Sequence, residues 1–184
     1  MAIIKKNPYN DIPTESTCLV PKGSLITIGK IYEEARRLAL ATHPFDIESF
    51  LKRNYFEIMR EDMDVDISGY IELRGVRWVI GVNKYHNPRR QRFTMAHEFG
   101  HYLFDYEEFS KKRHFDTILF RSAESSEIEA RANKFAGQLL MPKDLFEGYI
   151  LRGIKNIEEL ADKFDVSPAA VRYRAFNLGY IKQY

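Results

Sequence analysis

The sequence predicts an α+β domain: a small antiparallel or mixed sheet packed on one buried helix, followed by a helical C-terminal segment. Three observations predict it. Strand-like runs cluster between residues 56 and 82, helical periodicity flanks that cluster on both sides, and Arg92 to Phe104 is apolar nearly all round. The 184 residues suit one domain with a small appendage, and an apolar fraction of 45% with 14% aromatic supplies a real core. Residues 1–22 read as an extended lead-in, 23–150 as the folded core, and 151–184 as a helix-turn-helix-like segment packed on it.

The balance of 28 Lys and Arg against 26 Asp and Glu, net +2, gives no strong electrostatic reason to expect nucleic acid or membrane as a partner. Cys18 stands alone, which excludes an intrachain disulfide and suits a reducing cytosol. No apolar run reaches the roughly 18 residues of a spanning helix, and Met1 to Asp11 lacks the apolar centre of a secretion signal. A soluble cytoplasmic protein is expected. There is no internal repeat or low-complexity tract, and no signal for oligomeric state.

Pro8, Pro13 and Pro21 break up the first twenty residues. From Ser24 to Thr42 the apolar positions Ile28, Ile31, Ala35, Leu38 and Ala39 recur at helical intervals, and His43-Pro44 ends that helix. Asp46 caps a second short helix through Ile47, Phe50 and Leu51 to Arg53-Asn54. His43 reads as loop punctuation and not as a metal ligand. Phe56 to Met59 and Gly69 to Leu73 read as strands, the latter joined through a Gly75 turn to Val76–Val82. The hairpin leads into the apolar helix, and a free sheet edge beside that helix can accept an extended peptide as an added strand. The basic clusters Lys84, Arg89, Arg90, Arg92 with His86, and Lys111 to His114, read as solvated loops. Their functional alternative is contact with an acidic substrate segment or, for His86 or His114, donation to an oxyanion. Phe115 to Phe120 reads as a short strand.

The helix from Arg92 carries Phe93, Ala96, Gly100, Leu103 and Phe104 on one face and Met95, Phe99 and Tyr102 on another. Such a helix is buried. Within it sit His97, Glu98 and His101, polar groups that are costly to bury without partners. His97 and His101 are one turn apart on the same face, so both imidazoles can converge on one Zn²⁺, with Glu98 at its flank. This is the His-Glu-x-x-His arrangement of zinc peptidase helices, in which the carboxylate serves as general base toward a water activated by the ion.

Catalytic zinc uses three protein ligands, so one must come from elsewhere. The helix from about Ser125 to Leu140, closed by Met141-Pro142, is the best source, with Ile128, Ala132, Phe135, Ala136, Leu139 and Leu140 at helical spacing. Three glutamates compete. Glu127 shares the wet face with Arg131, its partner at i+4, and Glu124 precedes the ordered helix. Glu129 lies at the margin of the buried stripe, where an inward carboxylate needs a cation; its competing role is a capping box with Ser126. Helical phase favours Glu129 as the metal ligand, with Asn133 one turn later placed to orient a ligand from behind.

The run Arg92-Phe93-Thr94-Met95-Ala96-His97-Glu98-Phe99-Gly100-His101, then Glu129 to Ala136 and Leu139-Leu140-Met141-Pro142, resembles the ImmA/IrrE family of zinc metallo-endopeptidases. The likeness covers about Ser24 to Tyr180. It implies a compact gluzincin-like fold, His97, His101 and Glu129 as zinc ligands, and Glu98 as general base. It also implies cleavage of a helix-turn-helix transcriptional repressor, which derepresses phage, mobile-element or stress genes. Longer relatives carry an N-terminal DNA-binding domain and a C-terminal sensor domain, and this sequence reads as having neither.

The alternative function is a non-catalytic zinc-containing interaction or DNA-binding module. A structural zinc site closes with four protein ligands, often cysteines, and no fourth ligand is visible near this one. In the tail, Ile157–Phe164 is helical in pattern, Asp165-Val166 turns, and Ser167-Pro168 is a cap with proline at the first helical position. A recognition helix reads bases through its early residues, which here are Pro168, Ala169 and Ala170. Lys163, Arg172, Arg174 and Lys182 are balanced by Glu158, Glu159, Asp162 and Asp165. The tail is expected to pack on the core through Leu160, Phe164, Val171 and Phe176, or to help hold the substrate, and not to bind DNA directly.

Overall fold

The computed structural model describes residues 27–105, 114–117 and 123–182, the backbone alone for 114–117 and 123–126. These residues form an α+β fold with four strands and seven helices. In chain order they are α1 Ile28–Arg37, α2 Ile47–Arg53, β1 Glu57–Glu61, β2 Ile67–Arg74, β3 Arg77–Asn83, α3 Pro88–Phe104, β4 His114–Thr117, α4 Ala123–Leu140, α5 Lys143–Leu151, α6 Ile157–Phe164 and α7 Pro168–Asn177. The lead-in with Cys18, the start of the first helix at Ser24, and Lys111 to Arg113 lie outside the described residues.

Thr27 caps α1, its hydroxyl accepting from the Lys30 N–H, and Ile31 and Ala35 are the buried residues of that helix. The helix stops at Arg37, five residues before the expected end. Ala39 turns left-handed at φ 56°, its N–H reaches Arg36 O, and the Leu40 N–H reaches Ala35 O, which closes the last turn in a Schellman motif. Glycine usually marks that position. An alanine there leaves the helical pattern looking unbroken. Asp46 caps α2 as expected, accepting from the Ser49 N–H.

The sheet is mixed, in the order β1-β3-β2-β4, with β1 parallel to β3 and the β2–β3 and β2–β4 pairs antiparallel. Gly75, at φ 62°, and Val76 form the two-residue turn that pairs Arg74 with Arg77. β4 begins at His114, and residues 118–120 of the expected strand lie outside the described residues. Trp78, Ile80 and Val82 of β3 and Ile71 of β2 join α3 in the core.

α3 begins at Pro88, four residues earlier than the apolar pattern. Asn87 is its N-cap, accepting from the Arg90 N–H, and Pro88 takes the first helical position. Arg89, Arg90 and Arg92 are therefore helical and not in a solvated loop. Each has a structural partner: Arg89 bonds Asp162 and Asp165, Arg90 bonds Ser68 Oγ, and Arg92 reaches Asp165 and Phe45 O. From Thr94 to Tyr102 every residue of α3 is buried, while Phe104, expected inside, is 43% exposed.

Gly100 sets the spacing of α3 and α4. A Cβ built there would lie 3.1 Å from Phe135 Cδ1 and 3.2 Å from Ala132 Cα, so glycine permits the approach that brings α4 to the histidines. Beyond Pro142, Leu160, Phe164, Val166 and Val171 of the tail are buried, and the Phe164 ring stacks on Phe146 at 5.8 Å. Arg174 is also buried, donating through Nε to Met141 O at 2.9 Å. Phe176, expected to pack, is 40% exposed, because the inward face of α7 follows Val171, Arg174 and Ala175.

Candidate metal centre

His97 and His101 project from the buried middle of α3 and Glu129 from the second turn of α4. The Nε2 atoms of the two histidines lie 2.9 Å apart. Glu129 Oε2 is 3.0 Å from His97 Nε2, and its Oε1 is 3.3 Å from His101 Nε2. Among the described residues these three form the group able to hold a metal ion, with all ligand atoms within 4.8 Å of one another.

The outer nitrogens decide what the inner ones do. His97 Nδ1 is 3.0 Å from Asn133 Oδ1, and His101 Nδ1 is 3.2 Å from Asp105 Oδ2. Both partners can accept, so an imidazole that gives up its second proton keeps the one on Nδ1 and offers the Nε2 lone pair inward. Two Nε2 atoms 2.9 Å apart, beside a carboxylate, require a positive charge between them, which either a proton or a metal ion supplies. Four-coordinate zinc with nitrogens at 2.0–2.1 Å sets its ligands about 3.3 Å apart. A few tenths of an ångström separates the observed pocket from that spacing, so the donor set fits a metal ion.

Glu98 lies beside the pair, near enough for its charge to act on His101, with its carboxylate against β2. It is fully buried, and its Oε1 lies 3.6 Å from where a Cβ on Gly69 would stand. Thr94 Cγ2 and Gly81 O, at 2.5 and 2.6 Å from the same point, leave no room for that Cβ. A glycine in β2 thus lets the strand backbone close on the Glu98 side of the helix.

A family model described as peptidase M78, the IrrE N-terminal-like domain, matches residues 54–176, two thirds of the 184. The chain belongs to that family. The match takes in the sheet, α3, α4 and both tail helices, so every residue of the His-His-Glu group lies within the IrrE N-terminal-like region. No curated protein matches the chain. Peptidase-type metal chemistry is thus a property of the family to which these three donors belong. Among the described residues no helix is long and apolar enough to cross a membrane.

The other expected positions fall in different places. Glu127 is exposed, and Arg131, expected to pair with it, instead bonds Asp105. The helix reaches back to Ala123, so Glu124 lies within it; Ser126 is its fourth residue and not an N-cap, which removes the capping box with Glu129. His86 lies between β3 and α3, before the Asn87 cap. His43 sits against Tyr149, its Nε2 2.6 Å from the phenol oxygen. Asp105 and Arg131 are the residues of this centre that the sequence reading missed. The signal was spacing: His97, His101 and Asp105 continue one i, i+4 row to the end of the helix.

Electrostatics make proton and metal rivals here. Burial lowers the His101 imidazole, but hydrogen bonds to Asp105 and Glu129 and the charge of Glu98 outweigh it and raise the group to about 10. Burial raises Glu129, yet its bonds to His101 and His97 hold it well below the usual carboxylate range. In metal-free protein the raised histidine stabilises the fold fully below 6.5 and loses that contribution as pH rises toward 10. The depressed glutamate stabilises it above 4.5 and loses that on acidification. A bound metal displaces the His101 proton. Thermal melts with and without added zinc should therefore show a larger gain at pH 8 than at pH 6, and a gain independent of pH contradicts proton–metal exchange at this site.

Proposed function

We propose that the chain is a zinc-dependent endopeptidase of gluzincin type that cleaves a helix-turn-helix transcriptional repressor and so releases silenced genes. The observation that carries the metal part is the inward turn of both Nε2 atoms, with both Nδ1 atoms engaged by acceptors. His97, His101 and Glu129 would hold the ion. When bound, zinc supplies Lewis acidity and lowers the pKa of water to about 7. Glu98, buried beside the pair, takes the proton of the attacking water on its carboxylate and passes it to the departing amide nitrogen. β4, the edge strand beside β2 in the described sheet, is the strand along which an extended peptide would add.

The repressor substrate rests on the resemblance of the motifs and on the family, as does a cytoplasmic location. The non-catalytic alternative is disfavoured by the donor count: three among the described residues, where a structural zinc site uses four. Direct DNA binding is disfavoured by the tail, since Asp162 and Asp165 turn toward Arg89 and Arg92 of α3, and Arg174 is buried. The test is incubation of the zinc-loaded protein with the repressor encoded beside its gene, with fragments mapped by mass. Discrete, chelator-sensitive fragments are expected. An intact repressor, together with tight and salt-sensitive binding of the protein to duplex DNA in a gel shift, overturns this reading in favour of the regulatory module.

A further inference from the structure

We infer that Asp105 and Arg131 act as positioning residues that aim His101 at the metal, an inference that rests on the metal centre proposed above. Asp105 ends α3 four residues after His101, so its carboxylate returns along the same face. It is buried and both oxygens are used: Oδ2 lies 3.2 Å from His101 Nδ1, and Oδ1 accepts from Arg131 Nη2. Arg131 stands two residues after Glu129 on α4, and its guanidinium lies 5.7 Å from the Phe104 ring centroid. One helix thus supplies both a donor to the ion and the cation that braces the support of a second donor.

The two histidines are supported unequally. His97 rests on the neutral amide of Asn133, whereas His101 rests on a carboxylate tied to a guanidinium. An anionic acceptor on Nδ1–H fixes the ring and makes the opposite nitrogen a stronger donor. The competing role is a plain ion pair clamping the end of α3 to α4. Such a clamp affects folding and leaves the metal alone.

The test compares the full chain with Asp105→Ala, Asp105→Asn, Arg131→Ala and the double Asp105→Ala/Arg131→Ala. Zinc affinity is read by competition with a chromophoric chelator, the ligand field by the visible spectrum of the Co²⁺ form, and folding by melts of metal-stripped protein. Asp105→Ala should weaken zinc binding about 10- to 100-fold and shift the Co²⁺ bands. Asp105→Asn, which keeps an accepting oxygen, should recover much of the affinity. Arg131→Ala should weaken binding by a smaller factor, and nothing further should be lost when it is added to Asp105→Ala, because it acts through that carboxylate. A lower melting temperature in Asp105→Ala with parental zinc affinity and Co²⁺ spectrum overturns the inference and leaves the clamp. Should Asp105→Ala not fold, unchanged affinity in Arg131→Ala overturns it equally. A parental chain that binds no metal overturns this inference together with the metal centre; tight parental binding with unaffected variants overturns this inference alone.

Discussion

Glu98→Gln should bind close to one zinc per chain and lose roughly 10²- to 10⁴-fold in peptide cleavage, the range that proton transfer by a positioned carboxylate contributes. The side chain is fully buried between α3 and the β2 strand at Gly69, so an amide of the same shape keeps the packing. It cannot accept the proton of the attacking water. Metal analysis beside a cleavage assay reads both halves, and a variant that cleaves at the parental rate removes Glu98 from the role of base.

The second large effect concerns the donors. His97→Ala, His101→Ala and Glu129→Ala should each lose tight zinc binding, whereas Glu127→Ala, on the exposed face of α4, should bind as the parent does. A ligand present at a thousand times its Kd stabilises the fold by about 4 kcal/mol. For a chain of this size that corresponds to a melting shift on the order of 10 °C on zinc addition. The parent and Glu127→Ala should show that shift, and the three ligand variants should not. Equal titration curves for Glu129→Ala and Glu127→Ala send the third ligand elsewhere on α4.

The part of this site that could be read from the chain is the part built within one helix. His97, Glu98 and His101 share a phase, so a fixed rise and twist places them without knowledge of the fold, and Glu129 and Asn133 followed from the same rule on α4. What escaped depends on how two helices meet. Arg131 has an i−4 neighbour in Glu127, a local partner on paper, yet the Gly100 crossing carries it to Asp105, which the long-range packing alone brings within reach. Element ends escaped for a related reason. Ala39 ends α1 in a left-handed turn that glycine ordinarily announces, and Asn87-Pro88, which looks like a loop, is an N-cap followed by its first helical residue. The parallel pairing of β1 with β3 is likewise a long-range choice with no local signature, whereas the Gly75 hairpin has one.

The central claim is that the His97, His101 and Glu129 cluster holds a metal ion used to hydrolyse peptide bonds. Zinc titration of metal-stripped protein, with cleavage of the repressor encoded beside its gene followed at each addition, tests it most directly. Cleavage should be absent at the start, rise in proportion to zinc, level off at one equivalent per chain, and vanish on chelation. Cleavage that persists in stripped protein, or a filled site at one equivalent with the repressor intact, contradicts it.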